Sequence, residues 1–355
     1  MTGIRQQPAI VIGDRRIGVG QPVYVIAEAG VNHNGDIELA RQLIDIAADA
    51  GADAVKFQTF KAELLATREA PKASYQLQTT DAAESQYEML RSLELTEDVH
   101  RELFDYCRAR QIQFLSAPFD EASADFLETL GVAAYKIPSG ELTNLPLLAH
   151  VARKGKAMIV STGMATLEEV EIAVGAILRA GNDQFSLLHC VSNYPADPAE
   201  VNLRAMLTMQ EVFKVPVGFS DHTRGIEVAL AAVALGASLI EKHFTLDRTL
   251  PGPDHQVSLE PDELARMVQG IRKVTSALGD GRKKPAPSEV GTAAVARKSL
   301  VAARHILRGT VLTEELIQLR RPGTGLPASM RESVLGRRAL QDIESGALIS
   351  QEVLD

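Results

Sequence analysis

From Val23 onward the chain repeats one unit, a short apolar run followed by a longer segment with apolar residues at helical spacing. The strand-like runs are "VYVIAEA" from Val23, "AVKFQ" from Ala54, "QFLSA" from Gln113, "AYKI" from Ala134, "AMIVST" from Ala157, "FSLLHC" from Phe185, "PVGFS" from Pro216 and "SLIEKH" from Ser238. Between them lie amphipathic stretches such as Leu39–Leu43–Ile46–Ala50, and Val170 to Leu178 ahead of a stop at Gly181. Strands that are apolar on nearly every residue are buried on both faces, as in parallel sheets covered by helices. Eight such units in about 260 residues suit a closed (β/α)8 TIM barrel of the α/β class better than an open doubly wound sheet. No Gly-x-Gly-x-x-Gly follows the first run, so the main mark of a dinucleotide fold is missing.

A barrel does not use up 355 residues. After a last barrel helix, Pro261 to Leu278, comes "GDGRKKPAPSEVGTAAVA", whose Gly, Pro and Lys content reads as a linker. The organisation expected is therefore a barrel domain over 1–278 with residues 1–22 leading in, a linker over 279–296 and a small module over 297–355. Short strand-like runs separated by "RGT", "RPGTG" and "ESGA" give that module a modest core, and it is expected to dock on something. Within the barrel the longest interruption, Lys61 to Leu95, exceeds an ordinary βα loop, and such loops often carry function.

Several function classes drop out. No apolar run approaches the ~20 residues of a membrane helix, and the N-terminus lacks a charged-then-apolar signal pattern. A net charge of −9 with no basic stripe argues against nucleic acid as a partner. Two cysteines, Cys107 and Cys190, make no disulfide framework, and a reducing cytoplasm is the expected compartment.

Strand after strand ends in a residue foreign to a core. The first ends at Glu28, the second carries Lys56 and Gln58, and the third ends at Ser116. The fourth carries Lys136 and runs into Ser139 and Glu141; the fifth ends at Ser161 and the sixth at His189 to Tyr194. The seventh ends in Ser220, Asp221 and His222, the eighth in Glu241 and His243. In a parallel barrel these ends share one mouth, where active sites sit. Unpaired buried charge is costly, so this convergence implies a polar ligand or a metal. Lys56 and Lys136, flanked by apolar residues and accompanied by Ser116, Ser139, Ser161 and Ser220, make a pocket for phosphate or carboxylate. His222 and His243 end adjacent strands, and two imidazoles with open positions suit a divalent transition metal that binds a substrate oxygen. Glu28 and Glu141 serve either as ion-pair partners of the lysines or as acid–base groups. His33 in "VNHNGD" reads as a turn residue or a mouth residue, and His189 as structural or functional. The residues alone describe a metal-assisted enzyme acting on an anionic small molecule.

The ordered motifs "IAEAGVNHNGD", "AVKFQTFKAE", "YKIPSGE", "STGMAT", "HCVSNYP", "VGFSDHT", "IEKHFTLD", "PGPDH" and "RRPGTG" span nearly the whole chain, which closely resembles the sialic acid synthase family. The resemblance implies synthesis of a nine-carbon nonulosonic acid from phosphoenolpyruvate and an N-acylated mannosamine-type sugar. It implies a TIM barrel followed by a small antifreeze-like (SAF) domain, and a domain-swapped homodimer. It also implies that His222 and His243 bind Mn2+, or another divalent ion such as Mg2+ or Co2+. Lys56, Lys136, Ser139, Ser161 and Ser220 would hold phosphoenolpyruvate; Gln58, Glu141, Tyr194 and Asp254 would contact the sugar; Arg321 would reach its N-acyl group from the partner chain. The chain departs from the family at Ala117, where some members carry Thr, and at Ser192, a phosphate contact where some carry Asn.

The implied reaction joins C3 of phosphoenolpyruvate to the sugar aldehyde, adds water at C2 and releases phosphate by C–O cleavage, with Glu28 the candidate for activating that water. The loop around "AESQYEMLRSLEL" resembles enzymes of the neuraminate (N-acetylmannosamine) and legionaminate (2,4-diacetamido-2,4,6-trideoxymannose) types, with pseudaminate behind them. Two other readings are a 3-deoxy-octulosonate-type synthase and a non-catalytic carbohydrate-binding protein. Metal-spaced histidines and buried lysines inside a barrel speak against the second.

Overall fold

A computed structural model describes residues 9–73, 76–81 and 83–355; residues 1–8 of the lead-in and 74, 75 and 82 of the long loop lie outside it. The chain forms two compact units, residues 1–279 and 280–355. In the first, a hairpin β1 (Ala9–Ile12) and β2 (Arg15–Gly18) precedes eight parallel strands. These are β3 (Tyr24–Gly30), β4 (Ala54–Thr59), β5 (Gln113–Pro118), β6 (Ala134–Ile137), β7 (Ala157–Ser161), β8 (Phe185–Cys190), β9 (Val217–Asp221) and β10 (Leu239–His243). The sheet order is β5-β4-β3-β10-β9-β8-β7-β6, and β5 packs beside β6, so the sheet curls into a TIM barrel.

Alternation along each strand sorts the side chains. Val25, Ala27, Val55, Phe57, Tyr135, Met158, Val160 and Leu187 point outward into the core shared with the helices. Tyr24, Ile26, Ala54, Leu115, Ala134, Ala157, Ile159, Leu188 and Leu239 fill the lower half of the barrel, where Ile10, Ile12 and Ile17 of the hairpin close the floor. The hairpin turns at Gly13 (φ 61°) and buries three isoleucines; β1 is itself an apolar run, while exposed Arg15 and Arg16 break the pattern in β2. The last barrel helix spans Pro261–Leu278, with proline at its start and a reciprocal cap between Glu260 and Glu263. No helix among the described residues is long and apolar enough to cross a membrane.

The interruption after β4 holds short helices, Ala62–Leu65, Gln76–Thr79 and Gln86–Leu93. Its knot is Lys72, whose buried ammonium donates to Thr80 Oγ1, the Asp81 carbonyl and Glu84 Oε1 at 2.9, 2.7 and 2.7 Å. The second unit pairs β11 (Ser299–Ala302) with β12 (Ile317–Arg320) in antiparallel fashion over a core that includes Leu300, Ile306, Leu312, Val334, Ile343 and Ile349. The segment read as linker is not wholly irregular. It contains a helix, Glu289–Ala296, that belongs to the second unit and buries none of its own residues, so no apolar stripe announces it.

Candidate active site

The inward parity that fills the lower barrel continues upward with polar residues. Glu28, Lys56, Gln58, Lys136, Ser161, Cys190, Ser220, His222, Glu241 and His243 all line one cavity of about 440 Å3 at the C-terminal strand ends. Ser139, Ser192, Tyr194 and Asp254 join them from the loops. At the cavity's base is a cage of buried charge. The Glu241 carboxylate lies 3.2 Å from the Lys136 ammonium and 3.3 Å from that of Lys56, which is itself 3.2 Å from Glu28. The Ser220 hydroxyl donates to Glu241 Oε1 at 2.9 Å.

Burial alone would raise the Glu241 carboxyl; Lys136, Lys56 and the Ser220 hydrogen bond instead hold it well below the usual carboxylate range. Burial pushes Glu28 up to about 7, with Lys56 opposing. Burial also works against Lys56, but Glu241 and Glu28 raise it overall, whereas Lys136 is lowered by burial. Two ammonium groups thus face one firmly charged carboxylate, and the base of the cavity favours an anion although the chain is acidic.

Beside the cage is a cradle of hydroxyl groups. Ser139 Oγ accepts from the Gly163 N–H at 3.0 Å, which leaves its own proton to donate. Gly163 must lack a side chain, since a Cβ would stand 2.2 Å from Ser192 Oγ and 2.7 Å from Ser139 Oγ. Ser161 Oγ is buried without a hydrogen-bond partner. A buried polar atom without a partner costs about 1–3 kcal/mol, so it marks a place for a ligand oxygen.

Opposite lie the two histidines, ring centroids 5.5 Å apart. His222 Nδ1 donates to the Val191 carbonyl at 2.8 Å, which leaves Nε2 as the lone-pair nitrogen. His243 is kept neutral by burial and then by His222, and its Nδ1 is buried without a hydrogen-bond partner, 3.8 Å from Asp254. Burial lifts the Asp254 carboxyl to about 6. Burial opposes charge on His222, but Cys190 raises it overall. Two imidazoles, one with an orphaned nitrogen, fit a divalent ion, whose binding displaces any proton on the lone-pair nitrogen. Among the described residues no group of three or more His, Cys, Asp and Glu could hold one, so oxygens of water or substrate would complete the shell.

Behind this wall, on the outward side, Asp221 and Lys242 form an ion pair of 2.8 Å with side chains 0% and 1% exposed. Lys242 also donates to the Thr223 carbonyl, and Asp221 Oδ1 accepts from both the Thr223 amide and hydroxyl. Each member adjoins a histidine in sequence, so the pair locks the ends of β9 and β10 and hence the imidazole spacing.

Two expected residues, Ser116 and Glu141, do not line the cavity. Ser116 stands in register with outward-facing Phe57, and its hydroxyl shares a 2.7 Å hydrogen bond with Thr59, so alternation places it on the helix side. Its neighbour Ala117 shares parity with Gln58 instead. Glu141 sits on a short turn, where its carboxylate accepts from Asn144 Nδ2 at 2.7 Å. Arg321 lies in the second unit, its Nε donating to the Ala296 carbonyl at 3.0 Å. His33 is a turn residue whose Nδ1 accepts from the Gly35 N–H, and His189 faces outward against the Val201 carbonyl. Glu241, the hub of the cage, was absent from the residues assigned a role; its parity with His243, two positions on, is the signal that points to it.

A model of the NeuB family matches residues 43–283, and a model of the SAF domain matches residues 297–354. The chain is 49% identical to an N,N'-diacetyllegionaminic acid synthase of Campylobacter jejuni, over 92% of this chain and 98% of that one. It is 45% identical to the enzyme of the same name from Legionella pneumophila, over 95% and 96%. Among solved structures, an N-acetylneuraminic acid (sialic acid) synthetase from Leptospira borgpetersenii in complex with citrate superposes with a TM-score of 0.72 at 37% identity, covering 81% of this chain and 95% of that one.

The buried pair behind the histidines yields a test. Lys242→Met leaves Asp221 buried without its counter-ion and should destabilise the fold by about 3–5 kcal/mol in urea denaturation. Asp221→Asn combined with Lys242→Met should recover most of that, because the amide oxygen still accepts from Thr223. A Lys242→Met protein as stable as the parent contradicts the role given to the pair.

Proposed function

This chain belongs to the NeuB family of sialic acid (nonulosonic acid) synthases, and on that premise we propose that it condenses phosphoenolpyruvate with 2,4-diacetamido-2,4,6-trideoxymannose, with N-acetylmannosamine as the second-ranked acceptor. The observation that carries the reading is the Glu241 carboxylate shared by two buried lysines, 3.2 and 3.3 Å away, beside a pair of imidazoles whose ring centroids are 5.5 Å apart. A trianionic donor needs more than one buried cation, and a carbohydrate-binding module needs none. The two legionaminate relatives support the order of acceptors.

Lys56 and Lys136 neutralise the donor's phosphate and carboxylate, and Ser139, Ser161 and Ser192 donate to its oxygens. Ser220, whose proton is committed to Glu241, fixes that carboxylate rather than the donor. Gln58, Tyr194 and Asp254 bind the acceptor on the histidine side. A divalent ion held by His222 and His243, Mn2+ or in its place Mg2+ or Co2+, would supply Lewis acidity at the acceptor's aldehyde oxygen.

C3 of phosphoenolpyruvate forms a bond to that aldehyde carbon, its oxygen takes up a proton, and C2 becomes oxocarbenium-like. Water adds at C2 and yields its proton to Glu28, which burial has made a base of about neutral strength. The hemiketal then loses its proton and breaks its C2–O bond, releasing inorganic phosphate and leaving a 2-keto acid. Water excluded from a closed cavity strengthens each charged contact.

Lys56→Met and Lys136→Met should each raise the KM for phosphoenolpyruvate at least about tenfold, in a phosphate-release assay, while the acceptor's KM moves far less. An effect confined to the acceptor would reverse the pocket.

The proposal extends to the assembly. Two chains exchange their SAF domains, and Arg321 of each reaches the N-acyl group in the other's barrel. His243→Ala and Arg321→Ala proteins, each inactive, should then regain activity after subunit exchange, because a mixed dimer holds one site with both lesions and one with neither. Mixing that restores nothing excludes the exchange.

A further inference from the structure

The cavity has two chemically distinct ends. Its base is the charged cage; the wall near the mouth is made by Val31, Leu65, Met89, Leu90, Leu93 and Phe119. With Phe60 these six form an apolar cluster of their own, separate from the barrel cores. Val31, Met89 and Leu93 are buried, while Leu65, Leu90 and Phe119 are half-buried and turn part of their surface to the cavity. Three of the six sit on the helix Gln86–Leu93, which is started by a reciprocal cap between Ser85 and Glu88. The knot at Lys72 holds the chain leading into it, so the wall is formed in advance of any ligand.

We propose that this wall selects the acceptor by its far end, favouring a 6-deoxy sugar with a second acetamido group over one with a free hydroxymethyl and hydroxyl. The inference rests on the synthase reading above and deepens it. Bond formation places the acceptor's aldehyde carbon beside the donor at the charged base, so the open-chain carbons beyond it run towards the mouth. There a C6 methyl and an acetamido methyl bury apolar surface against Leu90 and Phe119. A hydroxymethyl in the same place gives up its hydration and meets no partner among those side chains. Gln76 and Gln86 also line this end of the cavity and offer amide groups to the second acetamido group. A cavity of about 440 Å3 lies within the range of about 300–1,000 Å3 common for small-molecule sites. Apolar pockets separate substrates that differ by one methyl or hydroxyl by about 10- to 100-fold, which sets the scale of the preference.

The test is a comparison of kcat/KM for 2,4-diacetamido-2,4,6-trideoxymannose and N-acetylmannosamine at saturating phosphoenolpyruvate. The parent protein should prefer the first by about 10- to 100-fold. Leu90→Gln should cut that ratio about tenfold, through loss with the 6-deoxy sugar, and leave the KM for phosphoenolpyruvate unchanged. Leu90→Met, which keeps the wall apolar, should retain the ratio. If Leu90→Gln does not fold, Leu65→Gln poses the same question from the helix Ala62–Leu65 of the same wall. A ratio unmoved by either polar variant, or a fall shared equally by both sugars, overturns the wall's role while the synthase reading stands. A parent protein that releases phosphate with neither sugar overturns the synthase reading, and this inference with it.

Discussion

One carboxylate holds the barrel mouth together. Lys56 reaches the cavity from β4, Lys136 from β6 and Ser220 from β9, and all three meet at Glu241 on β10. Without that acid, two ammonium groups would lie buried among apolar residues with only Glu28 to oppose them, an arrangement that desolvation disfavours strongly. With it, strands from opposite sides of the barrel are pinned at their upper ends, and two ammonium groups are held where an anion can meet them. The same contacts that let the chain bury its lysines therefore make a pocket suited to an anion.

The rest of the site is organised outward from that cage. Serine hydroxyls and the Gly163 amide lie to one side, the two imidazoles to the other, and the apolar helix of the long loop above. Each arm has its own support. Gly163 lets two serines approach within a distance no side chain would allow, the Asp221–Lys242 pair fixes the histidine strands from behind, and Lys72 fixes the loop. Asn32 adds a tie across the mouth, donating to the Phe244 carbonyl and to Ser258 Oγ at 2.8 and 2.9 Å. Rigid support of this kind suits a reaction in which charge is moved rather than a large surface recognised.

Much of this was legible in the sequence because burial on both faces leaves a strong mark. The eight barrel strands stand where the apolar runs are, and the helix Pro261–Leu278 is bounded by its own capping residues. What failed to show was information held between strands. Which face Ser116 presents depends on the register of β5 against β4, and no single run encodes that. Glu241 and His243 share a face by simple alternation, yet the weight of the acid becomes visible only when Lys56 and Lys136 are seen to reach it. The floor hairpin was missed although β1 is apolar, because no helical segment follows it and Arg15 and Arg16 mask its partner strand, whose Ile17 is enclosed. The helix Glu289–Ala296 was missed because helix-forming residues without an apolar stripe look like linker.

In the reaction proposed above, water activated near Glu28 attacks carbon rather than phosphorus. The direct measurement is turnover of phosphoenolpyruvate labelled with 18O at its C2–O–P bridging oxygen, with both products examined by mass spectrometry. The account predicts that all the bridging label leaves with inorganic phosphate and that the new 2-keto oxygen comes from solvent. Bridging label retained in the sugar acid, with solvent oxygen in the phosphate, would contradict it.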